Sequence, residues 1–138
     1  MIFIKAKDYL NQVRRVSWII EAKESELDEL KKALHSASLH EVHVKTTSVQ
    51  DLMKKVDTVL DYQLEIRAEI ARLISLKKEI HGKINQLSKP MYVGVLTEYY
   101  INGKTWQDIA EGLDLSERHI YRIHGNALNE FRKKFGMD

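Results

Sequence analysis

The 138-residue chain has no cysteine, one proline and a formal net charge of +2; this length suits one compact unit, or a small module on an extended helical support, and excludes two large domains. With 43% hydrophobic and 30% charged residues, its apolar runs are too short for a transmembrane helix, the stretch 16–20 already being broken by Ser17. A charge of +2 is too small to imply nucleic acid by itself, so its distribution along the chain has to be read.

The opening Met-Ile-Phe-Ile-Lys lacks a basic segment followed by an apolar core and a small-residue cleavage site, so no export signal is expected. The absence of cysteine agrees with a reducing compartment. Pro90 and the Ser, Thr and His cluster over 35–48 cut the chain into three parts. Each part reads as helical, with no alternating strand pattern and no solenoid repeat.

In the first part, Ala6, Tyr9, Val13, Val16, Ile20, Lys23, Leu27, Leu30 and Leu34 recur at steps of three and four, a heptad seam with one polar position. The second part repeats the pattern through Val49, Leu52, Val56, Val59, Gln63, Ile66, Ile70, Leu73, Lys77, Ile80, Ile84 and Leu87. Helices of this extent run roughly 45 and 60 Å, beyond the average globular helix, and need partners. Leu60, Leu64, Ile74 and Leu76 widen the second apolar face toward a further neighbouring helix. A short connection over 35–47 predicts an antiparallel hairpin. With its turn near residue 41, Lys23 falls opposite 59–63, where it either shares a polar layer with Gln63 or extends outward along the edge of the seam.

Ser88-Lys89-Pro90 predicts a helix start, because proline in the first turn lacks only an N–H that would have no partner there. That helix runs to about Ile101, and Asn102-Gly103 turns the chain. Thr105 and Asp108 have the spacing of a capping box at the start of a short helix ending near Gly112. Ser116 caps a last helix reaching about Phe135. The pattern fits two helices crossing at a tight turn: Ala110 as the small crossing residue, Ile109, Leu113, Leu115, Ile120 and Ile123 facing inward, and Asp114 at the turn position that favours the left-handed region. Tyr99, Tyr100 and Trp106 complete a small core, and Ala127, Leu128 and Phe131 prolong the apolar face of the last helix.

The fold expected is therefore all-α, a long coiled-coil-like hairpin over 1–88 followed by a three-helix helix-turn-helix module over 89–138. The hairpin is the expected oligomerisation element. Residues 89–138 hold as many acidic as basic side chains, but over 116–134 Arg118, Arg122, Arg132, Lys133 and Lys134 face only Glu117 and Glu130 in number. The outer face of the last helix begins with Ser116, Glu117, Arg118, His119, Tyr121 and Arg122, the turns that enter the major groove in helix-turn-helix proteins. Arg118 and Arg122 suit guanine edges or phosphates, and His119 and Tyr121 suit base edges or phosphate oxygens. Lys104, Thr105 and Gln107 are placed to hold the preceding helix against the DNA backbone. Lys133 and Lys134 fit equally a solvated helix end complementing the dipole.

From Leu96 onward, the stretch Tyr-Tyr-Ile-Asn-Gly-Lys-Thr-Trp-Gln-Asp-Ile-Ala, then Leu-x-Leu-Ser-Glu-Arg-His-Ile-Tyr-Arg, resembles region 4 of bacterial sigma factors of the sigma-70 kind. The N-terminal Lys5-Ala-Lys-Asp-Tyr-Leu-x-Gln-Val-Arg-Arg and the second helix resemble small phage and prophage proteins near the ArpU and RinA late-gene regulators. The resemblance implies control of phage genes in the bacterial cytoplasm, at the nucleoid, through double-stranded promoter DNA and with host RNA polymerase as a further partner. No segment resembles the sigma region that melts the minus-ten element, so the likeness does not extend to a self-sufficient sigma factor.

No cysteine nucleophile, glycine-rich phosphate loop, catalytic triad or paired carboxylates are legible, so no enzyme and no cofactor are expected. His40-Glu-Val-His43 has a metal-ligand spacing but lacks a second cluster, and no metal site is assigned. The competing reading is a coiled-coil adaptor that docks RNA polymerase or another protein without DNA affinity of its own. The expected particle is a homo-oligomer through residues 5–88, presenting paired modules to a repeated or palindromic site.

Overall fold

The computed structural model describes residues 4–41 and 48–138. Among them all regular structure is helical: α1 (Ala6–Glu41), α2 (Ser48–Ile84), α3 (Pro90–Leu96) continued by a π-helical turn (Thr97–Ile101), α4 (Trp106–Leu113) and α5 (Glu117–Lys134). Neither proline nor glycine interrupts α1, and α2 holds only Gly82 near its end. Asp8 and Asp51 lie in the first turns of the two helices, and His81 and Lys83 in the last turn of α2, complementing the helix dipoles. The part of the expected connection at 42–47, with His43 of the His40–His43 pair, and the opening residues 1–3 lie outside the described residues.

Contacts divide the chain into two compact units, Met1–Val16 with Leu73–Asp138, and Ser17–Arg72. In the second of these, Ile20, Val59 and Ile66 are buried, and Leu27, Leu30, Leu34, Leu52 and Gln63 are half-buried. The ammonium of Lys23 lies 3.9 Å from a Glu65 carboxylate oxygen and 3.8 Å from one of Glu69. Lys23 is thus opposite 65–69, further along α2 than expected. The cause is the length of α1. His35, Ser36, Ala37, Ser38, Leu39 and His40 hold no helix breaker, so the helix continues to Glu41, the position around which the turn was expected. A polar layer exists at the seam, and it is ionic, with glutamates in the place foreseen for Gln63.

The unit formed by the two chain segments 4–16 and 73–138 holds two clusters. In the larger, Ala6, Tyr9, Leu10 and Val13 of α1 and Ile80 and Ile84 of α2 are buried together with Leu87, Leu96, Tyr100, Ala127 and Phe131. Leu10 stands beside the heptad seam and is fully buried, because α1 here has more than one neighbour and its apolar face must widen. In the smaller cluster Val95, Ile109, Ala110, Ile120 and Ile123 pack with Tyr92, Tyr99, Trp106 and Leu115.

Polar bonds tie this unit across long sequence separations. The Tyr9 hydroxyl donates to Glu79 at 3.0 Å, and Lys83 lies 4.6 Å from the centre of the Tyr9 ring. Ser88 does not cap α3. Its backbone N–H donates to Glu130 of α5 at 2.8 Å and its hydroxyl bonds the same carboxylate, while Lys89 occupies the cap position with Pro90 behind it. The Lys134 ammonium bonds the Gln86 carbonyl.

Because α5 shares its core with α1, a cavity in α1 is felt in α5. Leu10→Ala should cost about 2–5 kcal/mol in urea unfolding and speed amide exchange at Ala127 and Phe131 as much as in α1. Fast exchange confined to α1 would show that the two are not one cooperative core.

Candidate nucleic-acid interface

The helix-turn-helix is built from three local devices. Asn102 and Gly103 end the π-helical turn, Gly103 with φ 70°, and the Thr105 hydroxyl accepts from the Asp108 N–H at 3.1 Å to start α4. At its other end Asp114 adopts φ 54°, ψ 45°. The Leu115 N–H donates to the Ala110 carbonyl at 2.9 Å and the Asp114 N–H to Glu111 at 3.3 Å, the paired bonds of a Schellman termination. The Ser116 hydroxyl then accepts from the His119 N–H at 3.1 Å, opening α5.

Ala110 and Ile109 meet Ile120 and Ile123 where α4 and α5 cross. The small side chain of Ala110 lets the two backbones approach. Leu113 departs from expectation. As the last residue of α4, just before the left-handed turn, it remains 42% exposed, and Leu115 beyond the turn packs on the cluster in its place.

The crossing leaves one polar surface outside. Ser116, Glu117, Arg118, Tyr121 and Arg122 on α5 and Lys104, Thr105 and Gln107 at α4 are exposed, while His119 is half-buried. Several have local work. Lys104 pairs with Glu98, whose carboxyl is held below its ordinary range by the Lys104 ammonium and then by Asn102. Gln107 donates to Glu111 at 3.3 Å, and the Tyr121 hydroxyl donates to Glu117 at 3.3 Å. Thr105 and Ser116 spend their hydroxyl acceptors on the caps. Arg118 and Arg122, one turn apart, have no ion-pair or side-chain hydrogen-bond partner among the described residues.

Behind this surface lies an aromatic cluster whose full membership the sequence did not disclose. Tyr99 stacks on Trp106 with ring centres 3.8 Å apart, and Tyr121 and His124 meet Trp106 edge-on at 5.6 and 4.5 Å. Arg14 of α1 covers the Tyr99 ring at 4.1 Å and donates to the Tyr99 carbonyl at 2.7 Å. That carbonyl lies in the π-helical turn, close to the helix end where acceptors run out of intrahelical donors. Tyr100 is buried in the larger cluster, whereas Tyr99 packs against both and meets the Tyr100 ring edge-on at 4.8 Å. Arg14 and His124 are the members that sequence reasoning missed. Only the dense aromatic spacing hinted at such a cluster, and nothing hinted at Arg14.

A family model described as "Protein of unknown function (DUF1492)" matches residues 33–132. The chain belongs to this family. The matched region takes in all of α2, α3 and α4 and most of α5, so in this DUF1492 chain the helix-turn-helix and the second hairpin helix fall within one family unit. No curated protein and no solved structure matches the chain.

Two outcomes test the site's construction. Asp114→Ala should lower stability by about 1 kcal/mol, because an ordinary side chain pays to enter the left-handed region, whereas Asp114→Gly should not; equal losses in urea unfolding would count against the turn geometry. The second concerns His124. Its Nε2 lies 2.7 Å from the Tyr100 hydroxyl, and burial, aided by the Lys7 charge, pushes its pKa down to about 4. The unfolded chain, with an ordinary value near 6.5, takes up the proton first as the pH falls. The stability from a neutral His124 is therefore complete above about pH 6.5 and is lost down through pH 4. After discounting for the ring's partial exposure the loss is on the order of 1–2 kcal/mol. His124→Gln should flatten that part of the stability profile, and an unchanged slope would assign it to other groups.

Proposed function

We propose that the chain is a DNA-binding regulator of phage genes that reads promoter DNA through the first turns of α5, in the cytoplasm of a bacterial host, with the hairpin as its oligomerising part. The observation that carries this reading is the pair Arg118 and Arg122. They project from a helix that follows a tight left-handed turn, exposed and without partners in the described chain. Guanidinium groups so placed match the two acceptors of a guanine edge or a phosphate. Ser116 and Thr105 each take one first-turn N–H in a cap, and the other first-turn N–H groups of α5 and α4 suit phosphate contacts. Lys104, Gln107, Tyr121 and the half-buried His119 frame the same surface. The likeness to sigma region 4 supports promoter DNA as the ligand, and the likeness to ArpU and RinA regulators supports the phage setting. The sigma likeness also makes host RNA polymerase a partner to test.

A second reading is favoured by Leu113, an exposed apolar side chain beside the turn. An adaptor that docks polymerase without DNA affinity would use such a residue as its contact. Glu111 and Glu117, on the same exposed surface, oppose phosphates and agree with it.

Titration of the full chain against promoter fragments at several salt concentrations separates the two readings. Under the DNA-binding reading Arg118→Ala and Arg122→Ala each weaken specific binding by about 1–3 kcal/mol, and Leu113→Ala leaves it unchanged. Polymerase binding that survives while no sequence preference is seen at low salt, and that falls with Leu113→Ala, decides for the adaptor.

A further inference from the structure

From its first turn to its last, α5 presents one polar line to solvent. Arg118, Arg122, Gly125, Asn129 and Arg132 recur at steps of four and three, so they share the face opposite the buried Ile120, Ile123, Ala127 and Phe131. The line extends about 21 Å. The only carboxylate between Arg118 and Lys134 is that of Glu130, which lies on the flank of α5 and bonds the N–H and hydroxyl of Ser88. Midway along the line Gly125 leaves the helix surface open, since a Cβ there would meet no atom within 4 Å.

At the far end of this line the start of α1 adds charge. The Ala6 N–H donates to the Asp138 carbonyl at 2.9 Å and the Asp138 N–H to the Ile4 carbonyl at 3.2 Å, which holds Lys5 and Lys7 beside the last turns of α5. With Arg132 they line a cleft of about 390 Å³ whose other walls include Gly125, Leu128 and Asn129. Lys5 and Lys7 are exposed and Arg132 is half-buried. None of the three forms an ion pair among the described residues, and Arg132 is oriented by the Asn129 amide oxygen, which accepts at 3.0 Å. Asp138 lines the same cleft, so three cations stand against one carboxylate.

We propose that this cleft holds the phosphodiester backbone of the duplex whose base edges Arg118 and Arg122 read, with Lys5, Lys7 and Arg132 as its cationic contacts. The inference deepens the DNA-binding reading and rests on it. The major groove is about 12 Å wide, less than the length of the exposed line. A helix with its first turns among base edges therefore carries its last turns to the phosphates that bound the groove. Phosphate fits the cleft in charge and in shape: at Gly125 no side chain holds a strand away from the helix. It also fits in hydrogen bonding, because the Arg132 fork keeps donors beyond the one given to Asn129. The cleft on the other flank of α5, which Lys89 and Lys133 line, lacks this fit. The Glu130 carboxylate lies within it, and Lys134 there is bonded to the Gln86 carbonyl.

A phosphate contact has its own signature, because its loss lowers the salt dependence of binding and weakens every sequence alike. In titrations of the full chain against promoter duplexes over a salt series, Lys5→Ala, Lys7→Ala and Arg132→Ala should each reduce the slope of log affinity against log salt by about one. Binding should fall severalfold with sequence preference unchanged, whereas Arg118→Ala and Arg122→Ala alter the preference. Gly125→Glu should weaken binding about tenfold by setting a carboxylate among phosphates. Its side chain enters open space, and an unchanged circular dichroism spectrum and urea midpoint verify the fold. Lys89→Ala removes the same charge from the other flank and should leave the slope in place. Acylation of Lys5 and Lys7 by an amine-directed reagent should slow severalfold on the bound duplex. An unchanged slope in the Lys5 and Lys7 variants, an equal loss in Lys89→Ala, or protection of these lysines by RNA polymerase without DNA overturns the proposal. If the wild type reads sequence and those variants match it, the cleft alone is lost; a wild type that binds no duplex removes the DNA-binding reading with it.

Discussion

Helix α5 must satisfy two clusters at once, and the rest of the C-terminal structure follows from that constraint. Its first half sends Ile120 and Ile123 against Ile109 and Ala110 of α4, and its second half sends Ala127 and Phe131 into the cluster lined by Tyr9, Leu10 and Val13 of α1. The four residues fall at steps of three and four, so a single stripe serves both. Once that stripe is committed, the rotation of the helix is fixed. Arg118 and Arg122 lie off the stripe and can only face outward. A helix packed at one end could roll about its axis, whereas burial at both ends denies α5 that freedom.

Polar devices determine where α5 begins. The left-handed residue Asp114 ends α4, and the Ser116 hydroxyl starts α5 immediately after the turn, so the angle between the helices is set by local backbone geometry as well as by the Ala110 crossing. Arg14 ties α1 to the same assembly through the ring and carbonyl of Tyr99. Trp106, stacked on that ring, is in turn covered by Tyr121 and His124. The chain of contacts from α1 to the exposed face of α5 is short and aromatic. Keeping His124 neutral avoids a buried imidazolium beside it.

The helical periods, the caps at Thr105 and Ser116, the crossing residue Ala110 and the strain at Asp114 were legible in the sequence, because each is a local property of a few neighbouring residues. Leu113 was misplaced because the inward-facing template counts positions, whereas the Schellman turn ends the helix before that side chain can reach the cluster. The position of Lys23 was misjudged because register depends on where a turn lies, and nothing in 35–41 actively stops a helix. Arg14 and His124 were beyond local reasoning. The Arg14 bond spans 85 positions, and only the assembled unit makes the Tyr99 carbonyl an acceptor in need of a donor.

The even balance of charge over 89–138 bears on how such a module could hold a polyanion. Each phosphate neutralised releases counterions, so affinity depends on the number of cationic contacts. Arg118 and Arg122, with Lys104 already partnered by Glu98, supply few, and Glu117 stands among them. Affinity under the DNA-binding reading then has to come from cations outside these turns and from joining two weak sites. A two-fold pairing of chains would relate their modules as the halves of a palindromic operator are related and would convert the second contact into an intramolecular one. Weak single-site binding combined with enforced pairing favours specificity. Under that reading an isolated half-site on the genome would engage one module and release it, whereas a correctly spaced pair would engage both.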